Sequence, residues 1–238
     1  MTHGDRRSAL AAIGSVMALA GLGQPLRAAT RTSPVRFPDG PVQLQRVLMR
    51  SLGAESSITV SRTWECRFAS IAEGARIEAR QIAVDVQAPA GLAALAQLER
   101  KREVTGLFPM TLDATGMMTG WAGGTADLQT AVAAARRIIE SRKLDGPSMQ
   151  HASRYVADMG RIAADLVSQV PRDLFFPEPG EKRQERALDL PGGGKGHYEL
   201  IISARACAQS GLLERSDRRI VTRIGDSLRT SSERWSIA

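Results

Sequence analysis

The sequence predicts an α+β fold: a curved antiparallel sheet of meanders and hairpins, packed on a long αα-hairpin within a single domain. Three observations predict it. Apolar residues recur at every second position in the first and last thirds of the chain. They recur every three to four positions in the middle third. Strand-like segments stand on both sides of the helical stretch without regular strand–helix alternation, which argues against a parallel doubly wound sheet. The chain has 238 residues, 43% of them hydrophobic, enough to bury a sizeable core. A charged fraction of 24% excludes a disordered or collagen-like chain.

Val42 to Leu52 fits both periods and is assigned to a strand, with Val42, Leu44, Leu48 and Leu52 in alternation. Ile58 to Phe68 is clearer. Ile58, Val60, Trp64, Cys66 and Phe68 share one parity, while Thr59, Ser61, Thr63, Glu65 and Arg67 share the other. That is a half-buried strand, with Arg62 the exception on its apolar side. Ala72-Glu73-Gly74-Ala75 turns the chain into a partner strand, Arg76 to Ala88, whose apolar phase shifts between Ala79 and Ile82 and so predicts a bulge. Leu92 to Glu103 reads as a short helix. Leu107–Asp113 and Met117–Trp121 form a second hairpin, with Pro109 demoting its first arm towards an edge strand.

The helical hairpin is predicted at about 125–170. Thr125 to Lys143 carries Leu128, Val132, Ala135 and Ile139 on one stripe, with Thr125 as cap and Asp127 in the first turn. Leu144-Asp145-Gly146-Pro147 breaks it. A second stripe, from Met149 through Val156 and Met159 to Val170, ends at Pro171. Pro171 to Glu181 is a loop. Arg183–Leu190, His197–Ala208, Arg219–Ile224 and Leu228–Ile237 then form a strand meander.

Residues 1–29 have the layout of an export signal peptide: basic Arg6-Arg7, an apolar run from Ala9 to Leu22, then the small pair Ala28-Ala29. Glycines 14, 21 and 23 make that run poor material for a packed helix. Arg6-Arg7 with Leu10 resembles the twin-arginine class of signals. Asp5, Ala9 and Ala11 depart from its pattern. The resemblance implies a periplasmic or secreted protein. Residues 30–41 form a Pro-rich linker, and residues 42–238 the single α+β domain. No stretch of roughly 18 unbroken apolar residues exists, so no transmembrane span is expected once the signal is removed.

The chain carries a net charge of +7. Its arginines are interleaved with Asp and Glu, without a basic run bearing stacking aromatics, so specific nucleic-acid binding is not expected. Gly192-Gly193-Gly194-Lys195-Gly196 is a hairpin turn rather than a phosphate loop, because no Ser or Thr follows the lysine and a strand follows the turn. His151 and His197 stand apart from any metal-ligand spacing, and no nucleophile motif occurs. No catalytic residue, metal or cofactor is therefore expected. Cys66 and Cys207 are the candidate disulfide of an oxidising compartment, although Cys207 shares the more polar parity of its strand. Trp64, Phe68, Phe108 and Met110, with Met117 and Met118 beside them in sequence, are candidates to line an apolar pocket.

These readings predict an exported, non-enzymatic envelope protein that binds an apolar ligand or a partner protein. A hydrolase of an envelope polymer or lipid, and a structural subunit of an envelope assembly, are the alternatives. The order of elements resembles, at the level of fold alone, the curved sheets holding helices in periplasmic lipoprotein carriers.

Overall fold

The computed structural model describes residues 33–52, 56–102, 104, 106–121, 170–189, 195–224 and 227–238, together with Ala133, Arg137 and Met149. Among the described residues alternation builds a nine-stranded antiparallel sheet. Its strands are β1 (Val42–Ser51), β2 (Ser57–Ile71), β3 (Gly74–Gln87), β4 (Met110–Asp113), β5 (Met118–Trp121), β6 (Gly180–Asp189), β7 (Lys195–Ala206), β8 (Leu213–Ile224) and β9 (Ser227–Ile237). The spatial order is β5-β4-β3-β2-β1-β9-β8-β7-β6. Two meanders thus run outward from the middle. They join where β1 pairs with β9, with Leu44 opposite Ile237 and Arg46 opposite Trp235.

The expected α+β architecture is corrected by this arrangement. The described fold is one large sheet with a single short helical segment, a 3-10 turn at Ala90–Leu92 running into helix α1 (Ala93–Lys101). No long αα-hairpin is among the described residues. The helical stretch expected at 125–170 falls outside them, except that Ala133, Arg137 and Met149 are helical. A stripe of period three to four shows that a segment is amphipathic. It does not say what covers the sheet, and here Leu174, Phe175 and Phe176 of the Pro171–Pro179 loop do part of that work.

The inner face is the one bearing the even-numbered residues of β2. One end of it holds the main core, where Leu44, Trp64, Cys66, Ile77, Met110, Leu112, Met118, Leu213 and Trp235 pack with Leu174, Phe175 and Phe176. The loop is held from both meanders. The Met118 amide donates to the Arg172 carbonyl at 2.6 Å, and the Leu213 amide donates to the Phe175 carbonyl at 2.8 Å. At the other end Ile58, Val60 and Val86 are buried, as are Leu92, Leu95 and Ala96 of the helical segment.

The bulge expected in β3 is present. Thr63 faces Ala83 and Trp64 faces Gln81, so Ile82 is the extra residue, and it is exposed. Pro109 precedes β4 rather than lying in it, and β5 is the edge strand on that side. Part of the Pro-rich linker is docked on the core. The Val35 amide donates to the Ala114 carbonyl at 2.9 Å, and the Phe37 ring meets Phe68 and Phe176 at 6.1 and 5.7 Å.

The β4–β5 turn is organised by Asp113, whose Oδ1 accepts from the Thr115 amide and hydroxyl and from the Met117 amide. Gly116 has a φ of +81°. A Cβ there would lie 2.5 Å from the Phe176 ring. Gly116→Ala is expected to lower stability by about 1–3 kcal/mol from the backbone conformation alone, with displacement of Phe176 in addition. Urea denaturation checks this, and an unchanged midpoint would show that the turn and the aromatic loop are not coupled.

Candidate functional site

Two gaps in the alternation lie face to face. Arg62 interrupts the apolar parity of β2, and Arg46 interrupts that of β1. The register pairs them directly. They lie on the inner face between its two apolar ends, and each is matched to a carboxylate from another element.

Arg62 reaches α1. Its Nη2 donates to Glu99 Oε1 at 2.7 Å and to the Glu99 carbonyl at 2.9 Å, and its Nη1 donates to the Arg102 carbonyl at 2.8 Å and to Gln81 Oε1 at 3.1 Å. The guanidinium therefore caps the helix C-terminus, where backbone carbonyls lack partners and positive charge is favoured. Glu99 also accepts from Arg102 Nε at 3.0 Å. Arg62 and Glu99 are both about 4% exposed. Arg46 turns towards β9. Its Nε donates to Glu233 Oε1 at 2.7 Å, and its Cζ lies 4.9 Å from the centre of the Trp235 ring, a cation–π contact. Glu233 is also buried. Arg218, on β8, faces Glu233 from the other side.

The result is a band of charge running from α1 across β2, β1, β9 and β8, bordered by Trp64 and Trp235. The two indoles stack 6.4 Å apart with an interplanar angle of 25°. Among the described residues Trp64 Nε1, Trp235 Nε1 and Arg218 Nε are buried without a hydrogen-bond partner. Leaving a buried donor unsatisfied costs about 1–3 kcal/mol.

Burial alone would raise the Glu99 pKa. The hydrogen bond from Arg102 and the charges of Arg102 and Arg62 outweigh it, and the carboxyl lies below its ordinary 4.5. Asp217, on the outer face, is likewise held low against partial burial by Arg215 and Arg234. Asp113 is held low by the Thr115 and Met117 donors of its turn. These carboxylates are set to stay ionised. That suits charge pairing and does not suit a general acid, whose pKa must approach the working pH.

The sequence candidates are distributed as follows. Trp64, Phe68, Phe108 and Met110 are brought together. Trp64 and Met110 lie in the main core, with Phe68 and Phe108 half-buried against it. Trp64 meets Phe108 at 6.2 Å, and Phe68 meets Phe175 edge-on at 5.4 Å. Met118 joins the core, and Met117 is half-buried. His197 is exposed on β7, its Nε2 3.7 Å from Glu185, and His151 lies outside the described residues. Among the described residues no group of three or more His, Cys, Asp or Glu gathers to hold a metal ion, and no helix is long and apolar enough to cross a membrane.

The candidate disulfide is corrected: both thiols are free. Cys66 lies on β2, and Cys207 follows β7 in the turn to β8. In the sheet order β1, β9 and β8 separate those strands. At ~4.8 Å per strand this is about 19 Å along the sheet, well beyond the reach of a disulfide.

Sequence reasoning noticed Arg62 and missed its partners. The gap at Arg46 was visible in the same alternation. Glu99 was not, since it sits among other charges on a short helix, and Glu233 and Trp235 needed the β1–β9 register. No protein-family model matches the chain, and no curated protein is significantly similar to it.

Two predictions follow from this chemistry. Glu99→Gln is expected to cost roughly 3 kcal/mol, the lower end for breaking a buried pair, because Arg62 keeps its carbonyl acceptors. The stabilisation from Glu99 is present above its unfolded pKa and is lost as pH falls through the lower folded value. The gap in urea midpoint between wild type and variant should therefore close below about pH 4.5; a gap that is constant with pH contradicts the assignment. For the thiols, burial pushes Cys66 up to about 12. Cys207 is lowered by the Ser210 hydroxyl and by the amides of Ser210 and Gln209. Iodoacetamide should label Cys207 in the native protein and Cys66 only after denaturation, as read by peptide mass spectrometry.

Proposed function

We propose that the protein is an exported, non-catalytic protein of the bacterial cell envelope that binds an apolar ligand on the inner face of its sheet. The observation that carries this reading is the make-up of that face. Aromatic and methionine side chains (Trp64, Phe68, Phe108, Met110, Trp235) gather at one end, and beside them on the same face are the buried ions Arg62 and Glu233 and the half-buried Arg46. Packing alone gives no reason for such ions, since replacing a buried ion pair by apolar residues is often neutral or stabilising. A face that must hold an apolar group and fix its orientation has use for both. Export rests on the basic, apolar and small-residue sequence of the first 29 residues.

Glu99, Asp113 and Asp217 are each held below the ordinary carboxylate pKa, which offers no support for any of the three as a hydrolase's general acid. A subunit that assembles edge to edge is disfavoured by β6, an edge strand carrying Glu181, Lys182, Arg183, Glu185 and Arg186, because charge on an edge opposes pairing with another chain.

The test is a titration of the purified protein with a naphthylamine dye that brightens in apolar surroundings. Saturable one-to-one binding is expected. Phe108→Ala, at the half-buried margin of the cluster, should weaken it about tenfold, or ~1.4 kcal/mol, with the far-ultraviolet circular dichroism unchanged. Dye uptake that never saturates would count against the proposal.

A further inference from the structure

We infer that the apolar ligand takes the seat filled by the Phe37 ring, and that residues 33–41 are a detachable strap holding that seat in competition with it. This deepens the proposed function and rests on it. The group the seat accepts is apolar and of phenyl size. The Phe37 ring is stacked on Phe68 of β2 at 6.1 Å, with 24° between the planes, and lies edge-on to Phe176 of the aromatic loop at 5.7 Å. Phe68 in turn meets Phe175 of that loop edge-on. Strand β2 and the loop therefore make the walls of the seat, and the strap supplies only what fills it.

The strap is held by little besides that ring. Among the described residues its backbone makes one hydrogen bond to the rest of the chain, from the Val35 amide to the Ala114 carbonyl at 2.9 Å. Pro34, Pro38 and Pro41 have no amide hydrogen to add. Val35 and Phe37 are half-buried against the core, whereas the side chains of Arg36 and Asp39 are 87% and 90% exposed. Gly40 is exposed, and a Cβ there would meet nothing within 4 Å, so the link to β1 is unpacked. The chain is fixed just beyond it, where Gln43 exchanges two backbone hydrogen bonds with Ala238 and β1 enters the sheet. Release of the strap gives up one backbone bond, which water replaces, and the apolar contacts of Val35 and Phe37. A ligand that seats its own apolar group restores the contacts of the ring. One apolar group is exchanged for another, and mass action then favours the ligand. The strap is a tethered competitor, and it weakens the apparent affinity in proportion to the time it spends in place.

The experiment places 4-fluorophenylalanine at position 37 of the full chain and follows its fluorine resonance as the naphthylamine dye is added. A ring stacked on another ring resonates away from the position of a solvated one. The resonance is expected to move to the solvated position in step with dye saturation. Amide hydrogen exchange is measured on the unlabelled protein. The Val35 amide should exchange at least a hundredfold faster than that of Gln43, and faster still at saturating dye. Phe37→Ser removes the competing ring and should bind the dye at least threefold more tightly, with the far-ultraviolet circular dichroism unchanged. The fluorinated chain keeps the ring, so the test does not depend on that variant folding. A fluorine resonance that stays in place while the dye saturates would overturn this inference and leave the apolar-ligand proposal standing. Protection of Val35 equal to that of Gln43, or no gain in affinity in folded Phe37→Ser, would overturn it in the same way. Dye uptake that never saturates would overturn both.

Discussion

Nine strands in one antiparallel sheet have two faces, and the physics of this protein follows from which one leaves water. Thr59, Ser61, Thr63, Glu65 and Arg67 keep the outer face of β2 polar. Ile58, Val60, Trp64 and Cys66 on the other face have to be covered. Among the described residues the cover comes from two places. Helix α1 lies against β3 at one end, and the Leu174–Phe176 loop lies over the other. That loop is bonded to β5 on one meander and to β8 on the other. The two meanders otherwise meet through the β1–β9 ladder. The aromatic loop is therefore both a cover for the core and a tie between the halves of the sheet.

Between the two covered ends the same face carries ions. Arg62 holds its place because it does two things at once. It neutralises Glu99 and satisfies carbonyls at the end of α1, so helix and sheet are joined by charge as well as by apolar packing. Arg46 has a parallel arrangement with Glu233 and the Trp235 ring. The Arg62–Glu99 pair is buried and the Arg46–Glu233 pair partly so, and both are supplied with hydrogen bonds, the condition under which a buried pair is tolerated. Among the described residues the Trp64 and Trp235 indole N–H groups and Arg218 Nε lack such partners.

Much of the sheet was legible from period-two alternation, because the pleat sends successive side chains to opposite faces regardless of what lies on either side. The phase slip before Ile82 marked the bulge for the same reason: one extra residue reverses the parity of everything after it. Short turns were legible where Gly and Asp set backbone geometry, as at Asp113 to Gly116. The site was legible only as an anomaly. An arginine on an apolar parity announces a partner without naming it. Glu99 is 37 residues from Arg62, and Glu233 is 187 from Arg46. No local pattern links residues at such separations.

By itself the sequence located most of the strands, the apolar side of β2 and the charge that breaks it at Arg62, since these depend on neighbours two to four positions apart; it missed the first half of β8, Leu213–Arg218. The tertiary structure decided the rest. It chose β9 as the partner of β1, which brought Glu233 and Trp235 to Arg46. It placed β2 and β7 too far apart for Cys66 and Cys207 to bond. It also put Leu174, Phe175 and Phe176 of a proline-rich loop into the described core. Those outcomes depend on strand order and on which surfaces fit together, and both are settled by burying one whole face at once rather than by any single stretch of chain.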